Sequence, residues 1–277
     1  MNGQRLRGFC LGLTLVLAAA PFAAAQLTAE EVADQTKWEE FLLTAEVVGE
    51  EQISSRKAVT SPWILTLKKG DVTHRALWKN PEGRMGGFIE GWRFEIAAYR
   101  IDKLLGLNMV PPTVERRFRE NRGSCQLWIE GCRSLRDIED NKIRLPSIKN
   151  IPYNRSLYLQ RLFDNLIANE DRHKGNFLFT ADWRLILIDH SRSFRTGSRY
   201  TKGLINTEKS PGGPKVVREL PRVIVEKVKA LTAETVRASV GEYLNDKEVE
   251  AILLRRDLIL VEIDRLIKLN GEENVLY

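Results

Sequence analysis

The chain has 277 residues, 43% hydrophobic and 29% charged, with a formal net charge of +6. Such a balance suits one ordinary globular unit of one or two lobes. The arginines are scattered among acids, with no dense basic patch interleaved with aromatics, which excludes a nucleic-acid binder.

Residues 1–25 read as a cleavable secretory signal peptide. Arg5 and Arg7 form a basic n-region, Phe9 to Ala20 an apolar run, and Ala23-Ala24-Ala25 the small residues of a cleavage site. The apolar run is short for a membrane span, so the mature chain is expected to be secreted or periplasmic and to carry no transmembrane segment. Residues 28–44 follow as a lead-in helix, with Thr28 as N-cap and Glu31 at the capping-box position. Three β-like runs come next: Ala45 to Ile53, Trp63 to Leu67 and Thr73 to Lys79. Lys68-Lys69-Gly70-Asp71 is a hairpin turn between the last two. Between the first two, Ser54-Ser55-Arg56-Lys57 stands where a phosphate-binding loop would be useful, because G-x-G-x-x-G is absent.

Gly83, Gly86 and Gly87 suggest a flexible connection into a helix from Trp92 to Leu105 that stops at Gly106. Pro111-Pro112 opens an extended run to Phe118. A turn at Asn121-Arg122-Gly123 then leads into a strand over Gln126 to Glu130. Cys125 and Cys132 are an even pair, but an extended strand between them would hold them roughly 20 Å apart, so no bridge is expected. Residues 133–150 look charged and irregular. Asn154 to Ala168 has the broad apolar face of a helix, two short strands follow at Phe177 to Phe179 and Leu185 to Ile188, and residues 195–215 form a long loop. Two or three helices finish the chain, the last from about Asp246 to Leu269, capped by Asn245. Strands first and helices later predict an α+β fold of two lobes, with a cleft between them. The boundaries expected are 26–132 for the first lobe and hinge, and 133–277 for the second.

The chemistry concentrates in Asn169 to Asn176 and in the strand ending at Asp189. Phosphoryl transfer from a nucleotide needs a carboxylate at the attacking hydroxyl, and an amide and a second carboxylate on the metal that bridges the phosphates. Asp171, Asn176 and Asp189 supply those types in a loop–strand context. His173 lies in the same loop and could donate to the transferring group. Mg²⁺ or Mn²⁺ would suit the oxygen ligands Asn176 and Asp189. Lys79 at a strand end and Glu95 in the following helix make the expected pair that positions ATP. Trp128 and Ile129 would line an adenine pocket at the hinge.

At these residues the chain resembles the atypical kinases, namely the phosphatidylinositol 3-/4-kinase superfamily and its secreted relatives of the Golgi casein kinase type, with related bacterial kinase-like proteins. The pieces are Ala76 to Lys79, Glu95 to Asp102, Leu107 to Pro112, Gln126 to Gly131, Asp171-Arg172-His173 with Asn176, and Ile188-Asp189. The resemblance implies a two-lobed protein-kinase-like fold, Asp171 as catalytic base, Asn176 and Asp189 as metal ligands, and Lys79 with Glu95 on the nucleotide. His190-Ser191 stands where lipid kinases commonly carry Phe-Gly, and no long basic activation loop follows, which speaks against a lipid acceptor. The expectation is transfer of the ATP γ-phosphoryl group to a hydroxyl of a protein or glycan. The alternatives are a nucleotide-binding pseudokinase or binding module, an AMP transferase, and a lipid kinase.

Overall fold

The computed structural model describes residues 34–54, 60–210 and 213–277. The signal peptide, the cap at Thr28 and Glu31, and Ser55, Arg56 and Lys57 lie outside the described residues. The lead-in helix α1 spans Gln35–Thr44 and buries Phe41 and Leu42 against a five-stranded antiparallel sheet. That sheet holds β1 (Glu46–Gln52), β2 (Trp63–Lys69), β3 (Val72–Lys79), β6 (Thr113–Phe118) and β7 (Asn121–Leu127), in the order β1-β2-β3-β7-β6. Its core face carries Leu65, Leu67, Ala76, Trp78, Val114 and Cys125, which alternate with partly buried positions in β2 and β3, whereas β7 is buried continuously from Gly123 to Leu127.

The β2–β3 turn falls on Gly70-Asp71, with Gly70 at φ 59°, as the sequence suggests. The second turn does not fall where expected. Phe118 pairs with Asn121, so the β6–β7 loop is Arg119-Glu120, both with positive φ, and Asn121-Arg122-Gly123 is already strand. Gly123 serves close packing instead. A Cβ there would lie 2.7 Å from both the Lys79 carbonyl oxygen and the Trp78 indole. The strand also stops at Leu127, short of Glu130, and Cys125 and Cys132 are not bonded to each other.

The connection at Gly83 to Gly87 is a second hairpin, β4 (Glu82–Met85) and β5 (Phe88–Gly91), turned at Gly86-Gly87. It runs directly into α2 (Trp92–Leu105), which ends where Gly106 takes the left-handed conformation at φ 70° and returns its N–H to Asp102 and Lys103. Buried Asp102 accepts a hydrogen bond from Met109 N–H at 3.0 Å. Burial pushes its carboxyl up to about 7, against the hydrogen bonds from the 108–110 backbone.

Residues 133–150 are more regular than expected. They contain β8 (Arg133–Ser134) and α3 (Leu135–Asp140), started by a reciprocal Ser134–Asp137 capping box. Helix α4 begins at Asn150, earlier than expected, and runs to Ile167 because Pro152 is tolerated in its first turn. β9 (Phe177–Phe179) and β10 (Leu185–Leu187) join β8 in a three-stranded sheet under the cleft. A one-turn helix α5 (Ser198–Thr201) interrupts the long loop. Helices α6 (Arg222–Lys229), α7 (Ala233–Val240) and α8 (Asp246–Asn270) complete the second lobe. Its core gathers Leu159, Leu162, Phe163 and Leu166 of α4 with Val249, Ile252 and Ile259 of α8, and α2 adds Phe94, Ala98 and Ile101 to the same cluster. α2 is therefore a shared wall between the lobes. Fully buried Arg255 of α8 donates to the Leu166 and Arg195 carbonyls, satisfying backbone at the end of α4, and burial pulls its pKa down to about 9. Among the described residues no helix is long and apolar enough to cross a membrane.

Candidate active site

Three elements far apart in sequence meet at one ammonium. β3 ends on Lys79, whose Nζ lies 2.6 Å from Glu95 Oε1 on α2 and 2.8 Å from Asp189 Oδ1, just past β10. Lys79 and Glu95 are almost fully buried, whereas the Asp189 side chain is 38% exposed and faces the cleft. Burial alone would discharge the ammonium, but Asp189 and Glu95 outweigh it and hold its pKa above the ordinary value. Burial likewise opposes the Glu95 carboxylate, and Lys79 more than offsets it, so Glu95 stays ionised well below the usual range. Asp189 itself has left-handed backbone, φ 62°, a conformation that costs a non-glycine residue and recurs at functional sites.

A buried polar relay fixes this arrangement from the second lobe. Asp164 of α4 takes the Arg172 guanidinium on both oxygens, at 2.9 and 3.1 Å. Arg172 Nη1 donates to the carbonyls of Asn176 and Ile188, stitching the Asp171 loop to the strand that leads into Asp189. Arg172 Nη2 meets His190 Nε2 at 2.9 Å, and the His190 backbone N–H donates to Glu95 Oε2 at 2.9 Å. Burial pushes His190 below its ordinary pKa, opposed by the Glu95 hydrogen bond and aided by Arg172, and because a guanidinium only donates, Nε2 accepts. The sequence reading placed Arg172 in the motif but gave it no task. A cation between two catalytic-type residues was the available signal.

Asp171 is presented at the mouth of the same cleft. α4 closes with Ala168 at φ 50°, and Asn169 Oδ1 accepts the Asp171 N–H at 3.1 Å. Asn176 Nδ2 donates to the Asp171 carbonyl at 3.1 Å, which turns the amide oxygen of Asn176 away from that contact. Burial raises the Asp171 pKa, Arg192 opposes the rise, and the nearby Asp189 charge adds to it. His173 is exposed beside Asp171, and its Nδ1 accepts the Gly175 N–H at 3.0 Å, a local contact within the short 3-10 turn that precedes β9.

Trp128 and Ile129, though beyond the strand end, line a cavity of about 360 Å³ with Leu77, Pro111, Leu178 and Ile188. The Arg75 guanidinium lies 4.8 Å over the Trp128 ring and pairs with Glu130 at the rim. A largely apolar slot of this volume is the size and chemistry of a nucleotide-base pocket.

For a divalent cation the donors are suitable in kind. Asn176 offers an amide oxygen. Asp189 offers its second carboxylate oxygen, since Oδ1 is engaged by Lys79. Among the described residues no cluster of three or more His, Cys, Asp or Glu forms a ligand cage.

No family model matches the chain, and no curated protein is similar to it in sequence. The fold, by contrast, is found in solved structures. Hydra Fam20 with sugar superposes with a TM-score of 0.62 at 15% identity, over 92% of this chain and 95% of that one. The Golgi casein kinase with Mn/ADP bound gives 0.59 at 14% identity, over 87% and 78%. A second structure of the Golgi casein kinase gives 0.60 at 13%, over 87% and 77%. The α+β, two-lobed kinase-like fold is therefore the fold of this chain.

Proposed function

We propose that this protein is a secreted, metal- and ATP-dependent kinase that transfers the γ-phosphoryl group to a hydroxyl of a protein or glycan. The observation that carries the reading is the single Lys79 ammonium held by Glu95 and by Asp189, 110 positions away, with Ile188, the residue before Asp189, lining a base-sized cavity. Lys79, fixed by Glu95, would neutralise the phosphates. Asn176 and Asp189 would hold Mg²⁺ or Mn²⁺, which supplies charge neutralisation on the transferring group. Asp171, at the exposed lip, would orient the acceptor hydroxyl and take its proton. His173, on the rim, would donate to the transferring group. Trp128 and Ile129 would pack on the adenine.

The neighbours support both acceptor classes, since one of them is described with sugar and the others as a casein kinase. Kinship with the phosphatidylinositol 3-/4-kinase superfamily rests on the loop and strand residues quoted above. Export rests on the leader-like residues 1–25. The test incubates purified mature protein with γ-labelled ATP, Mn²⁺ and a panel of glycan and protein acceptors, then records intact masses. A phosphate adduct that disappears in Asp189→Ala supports the proposal. An AMP adduct would make the enzyme a nucleotidyltransferase, and tight ATP binding with no product would make the protein a binding module.

A further inference from the structure

We propose that Arg192 is a positioning residue for Asp171, and that the β4–β5 hairpin is the bracket that aims it. This inference rests on the kinase reading. Arg192 Nη1 lies 3.2 Å from Asp171 Oδ2, and Arg192 Nε donates to Glu90 Oε1 at 2.6 Å. The guanidinium also lies 4.2 Å over the Phe88 ring. Phe88 and Glu90 both belong to β5.

Glu90 is no ordinary surface partner. It is 2% exposed, and its second oxygen accepts the Ser191 hydroxyl at 2.5 Å. The hairpin is tied to the same segment twice more, by Gly91 N–H to the Ser191 carbonyl at 3.0 Å and by Arg195 Nη2 to the Ile89 carbonyl at 2.8 Å. A guanidinium is a rigid planar fork, so fixing Nε and stacking the plane fixes the direction of Nη1. With Oδ2 of Asp171 held, its other oxygen is left for the acceptor proton. An exposed ion pair lacking these supports would restrain neither partner. The hairpin continues into α2, so the bracket of Asp171 and the helix that bears Glu95 form one continuous piece of chain.

Arg192→Gln is expected to lower kcat for transfer by about tenfold to hundredfold through lost orientation, with KM for ATP unchanged. Arg192→Lys does not restore it, because a point charge cannot serve Glu90 and Asp171 in the same geometry. Glu90→Gln gives a smaller loss of the same kind, and the double variant Glu90→Gln/Arg192→Gln is no slower than Arg192→Gln alone. Unchanged kcat, a rise confined to KM for ATP, or losses that multiply in the double variant would overturn the proposal. A second measurement needs no turnover. The ¹⁵Nε–¹H resonance of Arg192, assigned by its disappearance in Arg192→Gln, should shift in both Asp171→Asn and Glu90→Gln. A resonance indifferent to both substitutions refutes the bracket even in a protein that transfers nothing, whereas an inactive wild type with the shifts present refutes the kinase reading alone.

Discussion

At the inner end of the cleft, Lys79 and Glu95 are shut away from water, and Lys79 makes short ion pairs with both Glu95 and Asp189. At the outer end, Asp171 is 30% exposed and leans on Arg192, which is 14% exposed. The inner group is completed by the His190 backbone N–H from the second lobe, and the outer one by a small hairpin and a stacked ring. Charge buried that deeply is costly unless every partner is in place, so the inner end is built before any ligand arrives. The outer end has water to fall back on and can accommodate acceptors of different shape.

That contrast can be broken most directly at the residue shared by both ends. Asp189→Ala is expected to reduce transfer roughly a thousandfold, about 4 kcal/mol of transition-state stabilisation, and to cost less stability than removing Lys79, because Glu95 still pairs the buried ammonium. Radiolabel transfer and a denaturant melt on the same sample would check it. Lys79→Met should show the reverse emphasis in stability. It strands the Glu95 carboxylate, and the expected loss is about 3–5 kcal/mol in a denaturant titration.

The inner pair also sets limits in pH. Glu95, depressed below its ordinary 4.5, contributes stability that is present above that value and is lost as pH falls through the folded value. Lys79, raised above its ordinary 10.5, contributes stability present below that value and lost as pH rises past it. Asp102 acts in the opposite sense between these limits. Its carboxyl is raised from 3.8 to about 7, so it subtracts stability progressively as pH climbs through that window and by a constant amount beyond it. Asp102→Asn, which keeps an acceptor for Met109 N–H, should flatten the slope of unfolding free energy between pH 4 and pH 7. An unchanged slope would remove Asp102 as its source. The smallest effect belongs to the rim, where both partners are exposed. Glu130→Gln breaks the pair with Arg75 and should change ADP binding by less than about 1 kcal/mol in calorimetry.

The parts of this architecture that sequence could reveal are those with a local physical signature. Helix α2 was legible to the residue, because an apolar face ran from Trp92 to a glycine that could close it. The residues around Lys79 were legible by type and order, and the structure brings Lys79, Glu95 and Asp189 together. The β4–β5 hairpin was not, since strands of four residues carrying Glu, Gly and Arg show no alternation. The turn at Arg119-Glu120 was displaced in the reading by Gly123, a glycine needed for close approach and not for a bend. The Ser134–Asp137 capping box was a usable signal hidden among charges. Arg172, Arg192 and Arg255 went unassigned for a common reason. A charged residue reads as solvated until its partners, supplied by distant elements, are known.

Gly123 has a meaning beyond the sheet. One methyl group there would collide with the strand beneath it at Trp78 and at the backbone oxygen of Lys79. Alanine at that position would drive the two strands apart and swing the ammonium off its two carboxylates, disarming the protein without altering a single charge. The aim of the Lys79 ammonium thus depends on a position whose side chain is only a hydrogen atom.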